Sequence, residues 1–114
     1  MNSQVPMKTN WLYILLSLAA GPRHGSAIQD DARTLSEGAV RLWPATLYGS
    51  LEELLRLGWI EELQEHERPV GNSGRERFYR LTTGGRQTLE AECVRLEAVA
   101  RKARARLSGL EVLA

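Results

Sequence analysis

Leu89, Cys93, Leu96, Ala100, Ala103, Leu107 and Leu110 are separated by 4, 3, 4, 3, 4 and 3 residues. That spacing lays them along one side of a single long helix, with small residues in the middle of the seam. Ala91, Val94 and Ala98 widen the stripe into a second face. A chain of 114 residues has room for one domain with one core, and this helix carries more apolar surface than such a core needs. The pattern predicts a helix from Thr82, a good N-cap, to about Leu107, with Leu89, Cys93, Leu96, Ala100, Ala103 and Leu107 joining two copies of the chain. Packing within one chain is the alternative.

Upstream, residues 11–20 are apolar nearly all round, with Ser17 the one fully polar side chain, between Asn10 as N-cap and a Gly21-Pro22 stop. A helix of that kind must be covered on more than one side, and a partner subunit is the natural second cover. Residues 1–9 read as a loose arm. A second helix opens at His24-Gly25-Ser26, with Ile28, Ala32 and Leu35 as a narrow stripe ending before Gly38. A third begins at Pro44, whose missing N–H is harmless at the first helical position. It buries Leu47, Leu51, Leu54 and Leu55 and ends at Gly58. Residues 59–65 and 75–81 alternate as short strands around a tip containing Pro69, Gly71, Asn72 and Gly74.

The order helix, helix, helix, strand, strand, helix is that of a winged helix-turn-helix, mainly α with a small β-hairpin, followed by a long C-terminal dimerisation helix. The division is an arm at 1–9, a DNA-binding domain at 10–81 and a dimerisation helix at 82–114. In this topology the third helix enters the major groove of duplex DNA. With its leucines inward, Ala45, Thr46, Tyr48, Gly49, Glu52 and Glu53 face outward. Thr46 and Tyr48 offer hydrogen bonds to phosphates or base edges, and Ala45 a surface for a thymine methyl. Tyr48 reads equally as a half-buried packing residue.

The formal net charge of +1 does not by itself favour a polyanion, so the case rests on where charges lie. Residues 52–65 set five glutamates against Arg56, whereas residues 66–86 set Arg68, Arg75, Arg77, Arg80 and Arg86 against Glu67 and Glu76. A further basic run, Arg101, Lys102, Arg104 and Arg106, lies in the last helix. Arg75 and Arg77 alternate onto one face of the second strand with Arg68 in the tip, which suits phosphate contact; a solvated face is the plain alternative.

Other chemistry finds little support. One cysteine excludes an internal disulfide or a cysteine-based zinc cluster, and Cys93 is expected to be a small buried hydrophobe. His24 is expected to make a structural hydrogen bond, and His66 to be solvated. Two distant histidines and one cysteine make no metal site, and no catalytic triad, phosphate loop or carboxylate pair is present, so neither enzyme activity nor a cofactor is expected. The longest apolar run is about half of a bilayer span, which favours the cytoplasm.

Three stretches together resemble the PadR family of bacterial transcriptional regulators. They are Ile14-Leu15-Leu16 with Gly21-Pro22-Arg23-His24-Gly25, then Ala45-Thr46-Leu47-Tyr48 through Leu57-Gly58-Trp59-Ile60, then Phe78-Tyr79-Arg80-Leu81-Thr82-Thr83-Gly84-Gly85. The length matches the short subgroup with one C-terminal dimerisation helix. The resemblance implies a homodimeric repressor that often releases DNA when a small hydrophobic or phenolic compound binds. Where the family commonly has an aromatic residue, a small cap, and basic residues on the third helix, this chain has Ser26, Trp43, and Gly49 with Glu52 and Glu53. These changes shift positive charge toward the wing.

Two further expectations follow. Trp11 and Leu15 on the over-apolar first helix line a cavity between subunits for a small hydrophobic or aromatic effector, with plain dimer packing as the alternative. Glu52 and Glu53, unfavourable beside phosphates, leave open a winged-helix module that binds another protein instead of DNA.

Overall fold

A computed structural model of the chain describes residues 6–70 and 76–113, with side chains described up to residue 109. Among the described residues the order is α1 (Thr9–Ala19), β1 (Arg23–His24), α2 (Gly25–Leu35), α3 (Pro44–Leu57), β2 (Ile60–Glu62), a 3-10 turn at Glu65–Glu67, β3 (Phe78–Leu81) and α4 (Thr83–Leu113). The architecture is a winged helix-turn-helix with a long final helix.

Each helix follows its apolar stripe, with shifts at the ends. Helix α1 starts at Thr9 because the Leu12 N–H bonds the Lys8 carbonyl at 3.0 Å, so Lys8, not Asn10, stands at its N-cap. Ile14, Leu15, Ser17 and Leu18 are buried, whereas Leu16 is 38% exposed, leaving one apolar edge of α1 uncovered. Helix α2 is capped by His24, whose Nδ1 accepts from the Ala27 N–H at 3.3 Å while its ring meets Phe78 edge-on at 5.2 Å. That is the structural role expected of His24. Ile28 and Ala32 are buried, but Leu35 is exposed at the helix end, where the chain turns away through positive φ at Glu37 and Gly38.

Helix α3 buries Leu47, Leu51 and Leu54. Leu55, expected inside, lies one position too far round and is exposed. Gly58 ends the helix at φ +77°, a conformation a side chain rarely adopts.

The sheet has three strands, not two. β3 is central, pairing antiparallel with β2 (Ile60 opposite Leu81) and with β1 (His24 opposite Phe78). β2 is also shorter than the alternation suggested. The Glu67 carboxylate accepts from the Gln64 N–H at 2.8 Å, and Gln64 caps the Glu67 N–H in return. That local exchange turns the chain into a 3-10 turn before the strand can continue.

Helix α4 opens as expected, with Thr82 Oγ1 accepting from the Gly85 N–H at 3.0 Å, and runs past Leu107 to Leu113. Its first turns belong to the domain. Leu89 is 8% exposed and sits in the chain's own core, so it is not free for a partner. Glu92 is buried and holds Arg95 through two hydrogen bonds of 2.9 and 2.6 Å; the guanidinium keeps its carboxyl below the ordinary range. Cys93, expected to be buried, is exposed because it lies one turn beyond Leu89, past the rim of the core. Beyond that rim Val94, Leu96, Val99 and Leu107 are 57, 40, 50 and 60% exposed. Leu110 lies outside the described side chains. The radius of gyration of 17.1 Å, against about 13 Å for a compact chain of this size, records the overhang of this helix. None of the described helices is long and apolar enough to cross a membrane.

Candidate nucleic-acid interface

The face of α3 opposite its leucines is bare. Ala45, Thr46, Gly49 and Glu52 are exposed, and Tyr48 is 52% exposed. The two readings of Tyr48 prove compatible. Its hydroxyl lies across the start of α2, where a Cβ added to Gly25 would fall 2.8 Å from it, while the rest of the ring faces solvent. A recess of about 470 Å³ between His24, Gly25, Ser26, Tyr48, Glu76 and Arg77 joins the outer face of α3 to the root of the wing. The structure thus brings Tyr48 and Arg77 to one surface.

On the other side of α3, Ala45, Thr46, Gly49, Ser50 and Glu53 border a groove of about 310 Å³ with Lys8, Asn10 and Trp11. Lys8 was missed by sequence reasoning, which placed it in a loose arm. The early start of α1 holds it here, with Nζ 4.7 Å from the centre of the Trp11 ring. A cation just before an apolar run is the signal that could have found it.

The wing arginines differ from one another in their surroundings. Arg77 is exposed, with its guanidinium 3.7 Å from Glu62. Arg68 is corrected from a tip residue to a tucked one: its side chain is 16% exposed and lies 3.5 Å from Glu62, folded against the sheet and not presented to a polyanion. Arg75 lies outside the described residues. Arg80 is occupied by Glu61 at 2.6 Å and Glu67 at 3.2 Å.

The acidic positions are milder than their sequence suggests. Arg56 bonds the Glu53 carboxylate one turn away and holds it below the ordinary carboxylate range, so that pair carries no net charge. Glu52 is left as the one unbalanced carboxylate on the outer face of α3.

A separate cavity of about 310 Å³ lies behind α3, among Met7, Trp11, Leu57, Trp59, Thr88 and Glu92. Trp11 and Trp59 meet edge-to-face at 5.7 Å on its wall. Trp11 thus lines a cavity within one chain, where a cavity between subunits was expected. Leu15 is not: it is wholly enclosed in the core, with no surface to offer a ligand. Among the described residues no group of three His, Cys, Asp or Glu could hold a metal ion.

Comparison with known proteins places this geometry. The model of the transcriptional regulator PadR-like family matches residues 14–91. Over 88 residues the chain is 39% identical to an uncharacterized 37.1 kDa protein in transposon TN4556 of Streptomyces fradiae, covering 75% of this chain and 23% of that protein. The chain thus spans about a quarter of that relative. A PadR family transcription regulator from Clostridium difficile superposes with a TM-score of 0.69 at 21% identity, over 88% of this chain and 99% of the other. Bacillus subtilis PadR in complex with operator DNA superposes with a TM-score of 0.61 at 21% identity, over 74% of this chain and 46% of the other. At such identities these two report the fold.

Proposed function

The chain belongs to the PadR-like family of transcriptional regulators, and from that premise we propose that it binds duplex DNA as a homodimer, laying α3 in the major groove at each half of an inverted repeat. The observation that carries the reading is the division of α3. Leu47, Leu51 and Leu54 are sealed in the core, while Ala45, Thr46, Tyr48 and Gly49 form a bare face flanked by Lys8 on one side and Arg77 on the other. Small side chains let the helix approach base edges closely, and flanking cations suit the two phosphate strands that border a groove.

Dimerisation is supported by the uncovered apolar residues of α4 beyond its first turns, Cys93, Leu96, Ala100, Ala103 and Leu107, joined by Val94 and Val99 and by Leu16 on α1. Two copies paired through them set two α3 helices at a fixed separation, roughly the 34–36 Å of one duplex turn. Bound at a promoter, such a dimer excludes polymerase, which makes it a repressor acting in the cytoplasm. The rival reading, a protein-binding module, rested on Glu52 and Glu53; the Arg56 bond to Glu53 removes half of that objection to DNA.

The test is binding to the DNA upstream of the protein's own gene across a salt series. Affinity should fall steeply as salt rises, and Tyr48→Ala should weaken it about 10-fold with the melting curve little changed. Binding indifferent to salt, or absent at low salt, would contradict the proposal; a Tyr48→Ala protein that fails to fold would make Tyr48 a core residue.

The cavity at Trp11 and Trp59 fits a small hydrophobic or aromatic effector. Its walls come from α1, α3 and α4, so an occupant there bears on the angle between the reading helix and the dimer helix. Planar aromatic compounds should quench tryptophan fluorescence and lower DNA affinity together. Silence from a broad panel would mark the cavity as a packing defect.

A further inference from the structure

Trp43 is the most exposed tryptophan of the chain, 64% uncovered, and it stands immediately before the first residue of α3. Here the backbone is fixed on both sides. Leu42 is 4% exposed in the core, and its carbonyl accepts the Gln29 side-chain N–H at 2.6 Å. The Trp43 carbonyl accepts the Leu47 N–H at 2.8 Å, and Pro44 holds Trp43 itself extended at φ −67°, ψ 154°. Three residues before Trp43, the Val40 N–H donates to Ser36 Oγ at 2.8 Å. The indole is therefore presented on a rigid backbone.

Arg41 lies beside it, exposed and with no ion-pair partner among the described residues. The nearby Arg33 is 3.9 Å from Asp30. This contrast matters for α3, whose own arginine, Arg56, is taken by Glu53. Uncommitted positive charge near the reading helix has to come from its flanks, and Arg41 supplies it at the N-terminal flank.

We propose that Arg41 and Trp43 form a second DNA contact of this protein, in which the Arg41 guanidinium takes a backbone phosphate and the Trp43 indole packs on the deoxyribose beside it. A duplex strand alternates anionic phosphates with apolar sugar edges, which is the chemistry this pair complements. The recess that Trp43 and Arg41 share with Gln29, Asp30, Arg33 and Leu42 holds about 190 Å³, below the roughly 300 Å³ at which small-molecule pockets begin. The occupant is thus an extended surface, not a bound metabolite. The inference rests on the reading that α3 enters the groove.

Binding of full-length wild type, Trp43→Ala, Trp43→Phe and Arg41→Gln to the upstream duplex, across a potassium chloride series, tests it. Arg41→Gln should weaken binding to all sequences alike and reduce the slope of log affinity against log salt by about 1. Trp43→Ala should weaken binding about 10-fold at unchanged slope, with Trp43→Phe recovering most of the loss. Arg41 is a surface side chain, so its variant keeps the test decisive even where Trp43→Ala melts early. Wild-type affinity and slope in both variants would overturn this inference alone; a wild-type protein that binds no DNA at low salt would overturn it together with the proposed function. Loss of a protein partner from Trp43→Ala with DNA binding intact would overturn it as well.

Discussion

Replacing Leu96 and Val99 by glutamate should leave a folded chain that sediments as a monomer and binds its DNA at least about 100-fold more weakly. Both side chains lie beyond the point where α4 leaves the core, 40 and 50% exposed, so charge placed there removes nothing that holds one copy together. In a dimer the same positions face a second helix. Four buried carboxylates without partners would then be strongly unfavourable, and the pair would come apart. Affinity falls because each half-site contact, alone, loses the effective concentration that linkage supplies, commonly a factor of 10² to 10⁴. Far-ultraviolet circular dichroism distinguishes this outcome from unfolding, and a double variant that stays dimeric would place the interface elsewhere.

The second large effect is on folding. Gly85, in the first turn of α4, is pressed against the Trp59 backbone: a Cβ there would clash with the Trp59 carbonyl oxygen and lie 2.8 Å from its carbonyl carbon. Neither group has a side chain's freedom to swing aside. Thr82 fixes the same junction by donating to the Gly58 carbonyl at 2.6 Å, and its N–H bonds the Trp59 carbonyl at 3.1 Å. Gly85→Ala must therefore part α4 from the end of α3, at a cost of about 3 kcal/mol, or on the order of 15 °C in midpoint for a domain of this size. Gly84→Ala is the control, since a Cβ there meets its nearest atoms at an ordinary 3.7 Å. Equal midpoints for the two variants would mean the junction is looser than described.

Much of this was legible in the chain. The stops at Gly21-Pro22, Pro44 and Gly58, together with leucines at helical spacing, fixed the order of the four helices because each signal is local. The family signature extended over the same elements. What was not legible depended on distance. β1 is two residues long and exists only because His24 and Arg23 lie opposite Phe78 and Tyr79; no periodicity can announce it. Arg68 read as a tip cation suited to phosphate contact until the fold brought Glu62 beside it. The stripe on α4 is uniform from Leu89 onward, so nothing in its spacing marks where the domain stops covering it. That boundary, between Leu89 inside and Cys93 outside, is a property of the surrounding core.

The site divides in the same way. The outward face of α3 followed from which positions its leucines occupied; Arg77, expected within the second strand, stands just before β3 and reaches the recess beside Tyr48 through the fold. Lys8 and Leu15 did not follow. Lys8 came beside the outer face of α3 through an early helix start, and Leu15 has no surface for a ligand because it is enclosed in the core.

Sedimentation equilibrium of the full chain with a duplex from its own upstream region, at low salt, bears most directly on the central claim. Two chains per duplex, dissociating as potassium chloride is raised, is the expected result. A chain that remains monomeric at micromolar concentration and leaves the duplex unbound would contradict it.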